Sequence, residues 1–335
     1  YIPLKTAEIK KIWRFLAGEK KLALWNIDIT WLERPPDDLK IFFDVFRREP
    51  NRGQERTNNK QVQQGSEAMA SVITPLYKIH DTAIIEKGAE IGKNVVIGPY
   101  AVIKHDVVLG DGCIVGPHVV IHPHTTIGKE CRFFPGASIG GEPQDLKFAG
   151  EYSSTVIGDR CTFRECCTVS RATGEGNETR LGNDILMMAY THVAHNCIVG
   201  NNVIMSNVAT LAGHVVVEDR AIIGGLAAVH QFCRIGRNAM VGGMSRISQD
   251  IPPFMLVSGD PAFVAGLNSV GLSRAGMPPE IRSQLKKAFR ILYRSGMSMG
   301  EAVETMEQEL ESSEPVEHLM RFLRNAERGI IHTRK

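Results

Sequence analysis

Five polar side chains stand at spacings that invite proton transfer. His192 and His195 lie in YTHVAHNC, His214 in LAGH, and His230 with Gln231 in AVHQFC. An imidazole titrates near neutral pH and can take and return a proton within one turnover, so clustered histidines are candidates for general acid–base work. Taken singly, each reads as a polar residue collected by an exposed turn. Far apart in the chain, they act together only if the fold makes them neighbours.

That fold is written in a six-residue beat. Large apolar residues recur from Ile79 through Ile85, Ile91, Ile97, Ile103, Leu109, Val115, Ile121, Ile127 and Phe133 to Ile139. They return at Ile157, Phe163 and Val169 and run again from Leu181 to Ile247. A helix repeats every 3.6 residues and a strand every two, so neither explains the beat. It fits a hexapeptide solenoid in which three short strands close a triangular coil of about 18 residues. Small residues such as Ala83, Ala101, Cys113, Val203 and Ala239 precede the large ones by two, so both columns point inward from a strand. One lap places position 195 on 213 and then on 231. His195, His214 and Gln231 should therefore climb one edge of the prism at about 4.8 Å per step, with His192 facing outward beside them.

A chain of 335 residues with 43% apolar composition supports a real core and two or three domains. Its net charge of +2 argues against a general nucleic-acid binder. The sequence has neither a transmembrane-length apolar run nor a signal-peptide core, so a soluble protein is expected. Cys113, Cys131, Cys161, Cys167, Cys197 and Cys233 all fall on the small inward column, leaving only Cys166 elsewhere. They read as small buried hydrophobes in a reducing compartment, not as a metal or disulfide set. No cofactor and no metal is expected.

The expected division is an N-terminal extension and linker over 1–72, a β-helix over 73–251, and a bridge with a helical domain over 252–335. Ile9, Ile12, Trp13, Phe15 and Leu16 suit one face of a helix, and the polar stretch 51–67 reads as a linker. The start is Ser-free through residue 65 and contains Glu8 and Glu19, unlike a transit peptide. The stretches 140–154 and 171–179 are too long for corners and should project as loops, where binding groups often sit. After Pro252 and Pro253 an irregular bridge to Arg274 is expected. Helices over 279–294, 299–310 and 315–328 follow, with Gly296 as a C-cap candidate. They would cover the last open strand edge.

Four strings carry a resemblance: IGGEPQDLKFAGE at 139–151, MMAYTHVAHNCIVG at 187–200, NVATLAGHV at 207–215 and IIGGLAAVHQFCRIG at 222–236. Hexapeptides alone are unspecific, but HVAH, LAGH and HQFC in this order, with QDLK in the first loop, resemble the UDP-N-acetylglucosamine O-acyltransferase (LpxA) family. The resemblance implies a mainly β fold, a left-handed parallel β-helix with a C-terminal α-helical domain. It also implies a homotrimer with sites between subunits. The reaction implied is transfer of an (R)-3-hydroxyacyl group from acyl carrier protein to the 3-hydroxyl of UDP-N-acetylglucosamine, the first step of lipid A synthesis. His195 then matches the general base, and Gly213 the oxyanion donor. Asp145, Lys147, His192, His214, His230 and Gln231 match residues along the nucleotide sugar, and Asn268 and Arg274 the uracil and phosphate end. Gly243 matches the position that sets acyl-chain reach, where a glycine implies a long chain.

The chain departs from the family at Asn196, where many relatives have Asp, at Val270 in place of a Glu, and at Ser170 in place of a His. Residues 1–72 have no counterpart there. A divergent member fits, cytoplasmic if bacterial and inside a mitochondrion or other organelle if plant-type. The residues leave other hexapeptide proteins open. One is UDP-3-O-acylglucosamine N-acyltransferase, against which QDLK and NSVGLSR stand. Another is a γ-class carbonic anhydrase using His118, His122 and His124, residues more simply read as turn positions. The third is a non-enzymatic scaffold, which would need no histidine column. Arg234, Arg237 and Arg246 suit either attraction of an acidic carrier protein or solvated corners.

Overall fold

The computed structural model describes residues 78–334, within the compact unit Pro75–Lys335. The helix expected near Trp13 and the linker at 51–67 lie outside the described residues. Short strands from Ile84–Ile85 to Phe263–Leu267 sort into three sheets of nine, eight and ten strands, parallel except for the last pair. The first face runs from Ile84–Ile85 to Arg246–Ile247, the second from Glu90–Ile91 to Arg234–Ile235, and the third from Val96–Ile97 to Met240–Val241 and on into a closing hairpin. The coil is a left-handed β-helix, against the usual crossover sense.

Both inward columns form the core. Ile97, Ile103, Ile121 and Ile139 are fully buried, as are Ala101, Cys113, Cys131, Ala209 and Ala239. Each large aliphatic side chain removed from water contributes roughly 1.5–3 kcal/mol. Inside the prism Phe163 stacks on Phe133 with 5.0 Å between ring centroids. The beat extends beyond the core at its start: Ile79 is 46% exposed and makes only a bridge to Ile97.

Corners need one residue in the left-handed region, and here most are not glycine. Tyr100, His118, Asn196, Val208, His214, Leu226, Phe232 and Met244 all have φ between 56° and 65°. Asn tolerates this conformation, whereas β-branched Val208 is costly there, and stacked coils hold it in place.

Both long stretches do leave the coil. Thr210 pairs with Ala228 one lap on. Thr168 meets His192 across a separation of 24, and Lys129 meets Asp159 across 30, where neighbouring coils without insertions, such as Asn183 and Asn201, show 18. The insertions are therefore multiples of six, which is why the beat survives them in phase.

The bridge is more ordered than expected. Met255–Ser258 adds in parallel to Met240–Val241 and pairs antiparallel with Phe263–Leu267, so the final coil edge is covered by a hairpin. Four helices follow: α1 (Ser269–Arg274), α2 (Pro279–Arg294), α3 (Met299–Glu309) and α4 (Glu314–Arg324). Gly296, at φ +80°, follows the Ser295 C-cap of α2. Helix α4 stops at the Asn325 C-cap, short of the expected Arg328; beyond it the chain turns at Gly329, and Ile330 bridges Asp250.

Candidate active site

Three successive strands of the first face, His192–Val193, Thr210–Leu211 and Ala228–Val229, pair in register. The turns after them stack on the corner between the first and second faces. His195, Gly213 and Gln231 share one rung position; Asn196, His214 and Phe232 share the next, each in the left-handed region. His214 N–H donates to His195 O at 3.0 Å, and Phe232 N–H to Gly213 O at 3.1 Å. The rings follow the backbone: His195 meets His214 edge-on at 5.2 Å, and His214 stacks on Phe232 at 4.7 Å.

The His195 side chain is only 14% exposed. Its Nδ1 lies 2.8 Å from Asn196 Oδ1. An amide oxygen only accepts, so Nδ1 carries a hydrogen, and in the neutral ring Nε2 is then the nitrogen with the lone pair. Nε2 faces Asp145 Oδ2 across 3.9 Å, too far for a hydrogen bond. Asp145 is fixed by its own loop, its Oδ1 accepting from Lys147 N–H at 3.0 Å and its carbonyl from Phe148 N–H at 3.0 Å. The Lys147 side chain is exposed beside it. Gly213 N–H donates to no backbone acceptor among the described residues.

His192 points outward from the first face, its Nδ1 2.7 Å from Thr168 Oγ1. Burial lowers its pKa, and proximity to the His195 imidazole lowers it further. The same two causes, in the same order, lower that of His214. His230 is exposed, with Nδ1 3.1 Å from the Gln231 carbonyl.

Other predicted residues lie on other corners of this chain. Gly243 sits between the third and first faces, across the first face from the histidines, where an added Cβ would come 3.2 Å from Gly225 O. Asn268 caps α1 by accepting from Gly271 N–H and donates to Asn238 O at 2.9 Å, so it belongs to the corner between the second and third faces. Arg274 is exposed in the last turn of α1. The three histidines of the zinc reading are likewise divided. His118 stacks on Tyr100 at the third–first corner, whereas His122 pairs with Ser138 Oγ at 2.9 Å and His124 lies edge-on to Tyr152. Among the described residues no group of three or more His, Cys, Asp or Glu side chains is gathered as metal ligands would be.

The turn arginines each find a partner within the chain. Arg237 pairs with Glu314 at 2.7 Å, and Arg246 with Asp260 at 2.6 Å. Arg234 lies over the Phe322 ring at 4.3 Å and donates to Asn325 O at 2.8 Å. Two of these three cations fasten α4 to the coil, joined by His318 Nε2 at 2.7 Å from Glu218 Oε2. Sequence reasoning also passed over Thr173. It reaches Asn196 from the second inserted loop, and nothing in its local pattern signals that contact.

Two family models match the chain: one described as UDP N-acetylglucosamine O-acyltransferase, domain 2, over residues 250–331, and one for the bacterial transferase hexapeptide (six repeats) over 88–123. The acyl-(acyl-carrier-protein)–UDP-N-acetylglucosamine O-acyltransferase of Chlorobaculum parvum is 54% identical over 252 residues, covering 75% of this chain and 96% of that protein. The protein of the same name from Paracidovorax citrulli is 51% identical over 258 residues, covering 75% and 98%. Among solved structures, LpxA from Bacteroides fragilis, a UDP-N-acetylglucosamine acyltransferase, matches with a TM-score of 0.74 and 40% identity, covering 75% of this chain and 99% of that one.

Proposed function

The chain belongs to the UDP-N-acetylglucosamine O-acyltransferase family, and on that footing we propose how its own residues carry the reaction. It transfers a 3-hydroxyacyl group from acyl carrier protein to the 3-hydroxyl of UDP-N-acetylglucosamine, the opening step of lipid A synthesis. The observation that carries the assignment is His195: Nδ1 is committed to Asn196 Oδ1, which makes Nε2 the nitrogen that can accept a proton in a half-buried corner.

A sugar hydroxyl is a weak nucleophile until its proton is removed as it attacks. In the proposed sequence His195 Nε2 takes that proton while the hydroxyl oxygen bonds to the thioester carbonyl carbon. The carbonyl oxygen becomes an oxyanion, which the Gly213 N–H receives. Collapse breaks the carbon–sulfur bond, and the His195 imidazolium returns its proton to the departing thiolate. Asp145, Lys147, His192, His214, His230 and Gln231 line the nucleotide sugar in this reading. Burial keeps His192 and His214 neutral near pH 7, so each presents a donor and an acceptor and adds no second positive charge.

Asn268 stands on a different corner from His195 within one chain, with Arg274 at the far end of the helix it caps, which favours a site completed by a neighbouring subunit of a homotrimer. The acyl chain would then run across the first face toward Gly243. We also propose the three-part division 1–72, 73–251 and 252–335. No helix among the described residues is long and apolar enough to cross a membrane, which suits a carrier-borne substrate.

The deciding experiment incubates UDP-N-acetylglucosamine with a panel of 3-hydroxyacyl carrier proteins and reads products by mass spectrometry. The His195→Ala variant should lose on the order of 10²–10⁴-fold in kcat while still binding UDP-N-acetylglucosamine. Near-normal turnover by that variant would reject His195 as the base.

A further inference from the structure

We infer that Thr173 is a positioning residue for His195, acting through Asn196 to fix the ring in the tautomer a base requires. The inference rests on the reading of His195 as the base and concerns what holds it ready.

The difficulty that Thr173 resolves is peculiar to an amide. A carboxylate beside His195 would offer an oxygen in either orientation, but an amide has one accepting end and one donating end. Were Asn196 reversed, its NH2 would face Nδ1. That nitrogen would then have to accept, and the ring proton would move to Nε2. The lone pair needed to take the sugar proton would be gone.

Thr173 makes the reversed state costly at both ends of the amide. Its backbone N–H donates to Asn196 Oδ1 at 3.0 Å, and its hydroxyl donates to the same oxygen at 2.9 Å. At the other end, Asn196 Nδ2 donates to Thr173 O at 3.1 Å. A backbone N–H cannot accept and a carbonyl cannot donate, so reversal would oppose like groups twice. His195 Nδ1–H at 2.8 Å is then the third donor to Oδ1.

The loop that delivers Thr173 is itself anchored. Gly174 N–H donates to Glu151 Oε1 at 2.7 Å, and Asn177 Nδ2 to Thr173 O at 2.9 Å. From below, Asn196 N–H donates to Thr179 Oγ1 at 2.8 Å. Glu151 lies near the end of the insertion that carries Asp145, so both inserted loops converge on one imidazole.

The test uses the full-length protein with histidine ring nitrogens labelled, the His195 signals being assigned by their loss in His195→Gln. Nitrogen NMR reports the tautomer without reference to turnover, and kcat and KM are measured in parallel. The wild type should show His195 protonated at Nδ1 alone. Thr173→Val, which removes only the hydroxyl, should lower kcat roughly 3- to 10-fold with KM nearly unchanged and should admit some Nε2-protonated form. Thr173→Pro, which removes the N–H, should do both more strongly. A purely architectural loop would instead move KM and thermal stability and leave the tautomer alone. Wild-type kcat together with an unchanged tautomer in the Val variant, folded as wild type, would overturn the proposal. A shifted tautomer with undiminished kcat would uphold the positioning role and reject His195 as the base.

Discussion

The imidazole of His195 lies directly against the Cα of Gly213, one coil away. A Cβ added at Gly213 would come 2.5 Å from His195 Cε1 and 2.6 Å from Nε2, closer than real contacts allow. The backbone at Gly213 is not in the left-handed region, so the glycine is required by the neighbour's ring and not by its own turn. Gly213→Ala must displace the base. The expected outcome is a loss on the order of 10²-fold in kcat, the scale of a 1 Å misplacement. Steady-state kinetics with a melting curve checks it, since unchanged melting would localise the effect to the ring.

Stability should decline as mild acid is added. Burial lowers the pKa of both His122 and His192 from 6.5. Above that value both states are neutral, and these groups contribute nothing to the balance. As pH falls below it, the unfolded chain binds protons before the folded one does. The native state therefore loses stability until pH reaches the depressed folded values. Melting temperature should drop from pH 7 toward about pH 5, and less steeply in His122→Gln/His192→Gln. Parallel curves for variant and wild type would contradict this.

Only one thiol should answer to alkylating reagents. Six cysteines are buried and Cys166 is exposed. Burial pushes the Cys197 thiol up to about 12, which leaves almost no reactive thiolate at neutral pH. Native protein should take up at most one equivalent of iodoacetamide, at Cys166, and Cys166→Ser should take up none before denaturation. Peptide mapping of the labelled protein is the check.

The stacked pair inside the prism should be the costliest place to lose volume. Phe163→Ala leaves Phe133 beside a void, because neighbouring coils fixed by their strand pairing cannot close on it. The expected loss is about 3–5 kcal/mol, read as a lower denaturant midpoint at constant slope. A shift below about 1 kcal/mol would mean that the coil collapses around the vacancy.

The primary structure determined the coil and its phase. A six-residue beat can bury a large and a small side chain only if three strands close a lap, so core positions such as Ile103 and Cys131 were legible without coordinates. The stacking of 195 on 213 and 231 followed from the same arithmetic, and so did the burial of six cysteines. Chain geometry alone settled what periodicity does not encode. Residues 255–267 carry no hexapeptide signal, and their hairpin forms because the last strand offers unpaired backbone groups. Arg237 found Glu314 because α4 folds back on the coil. Thr173 reached Asn196 because an out-of-pattern loop returned across the corner, a path that depends on loop conformation and on no local spacing. A repeat specifies what each lap must satisfy, whereas insertions and caps are free of the repeat and are placed by contacts between distant parts of the chain.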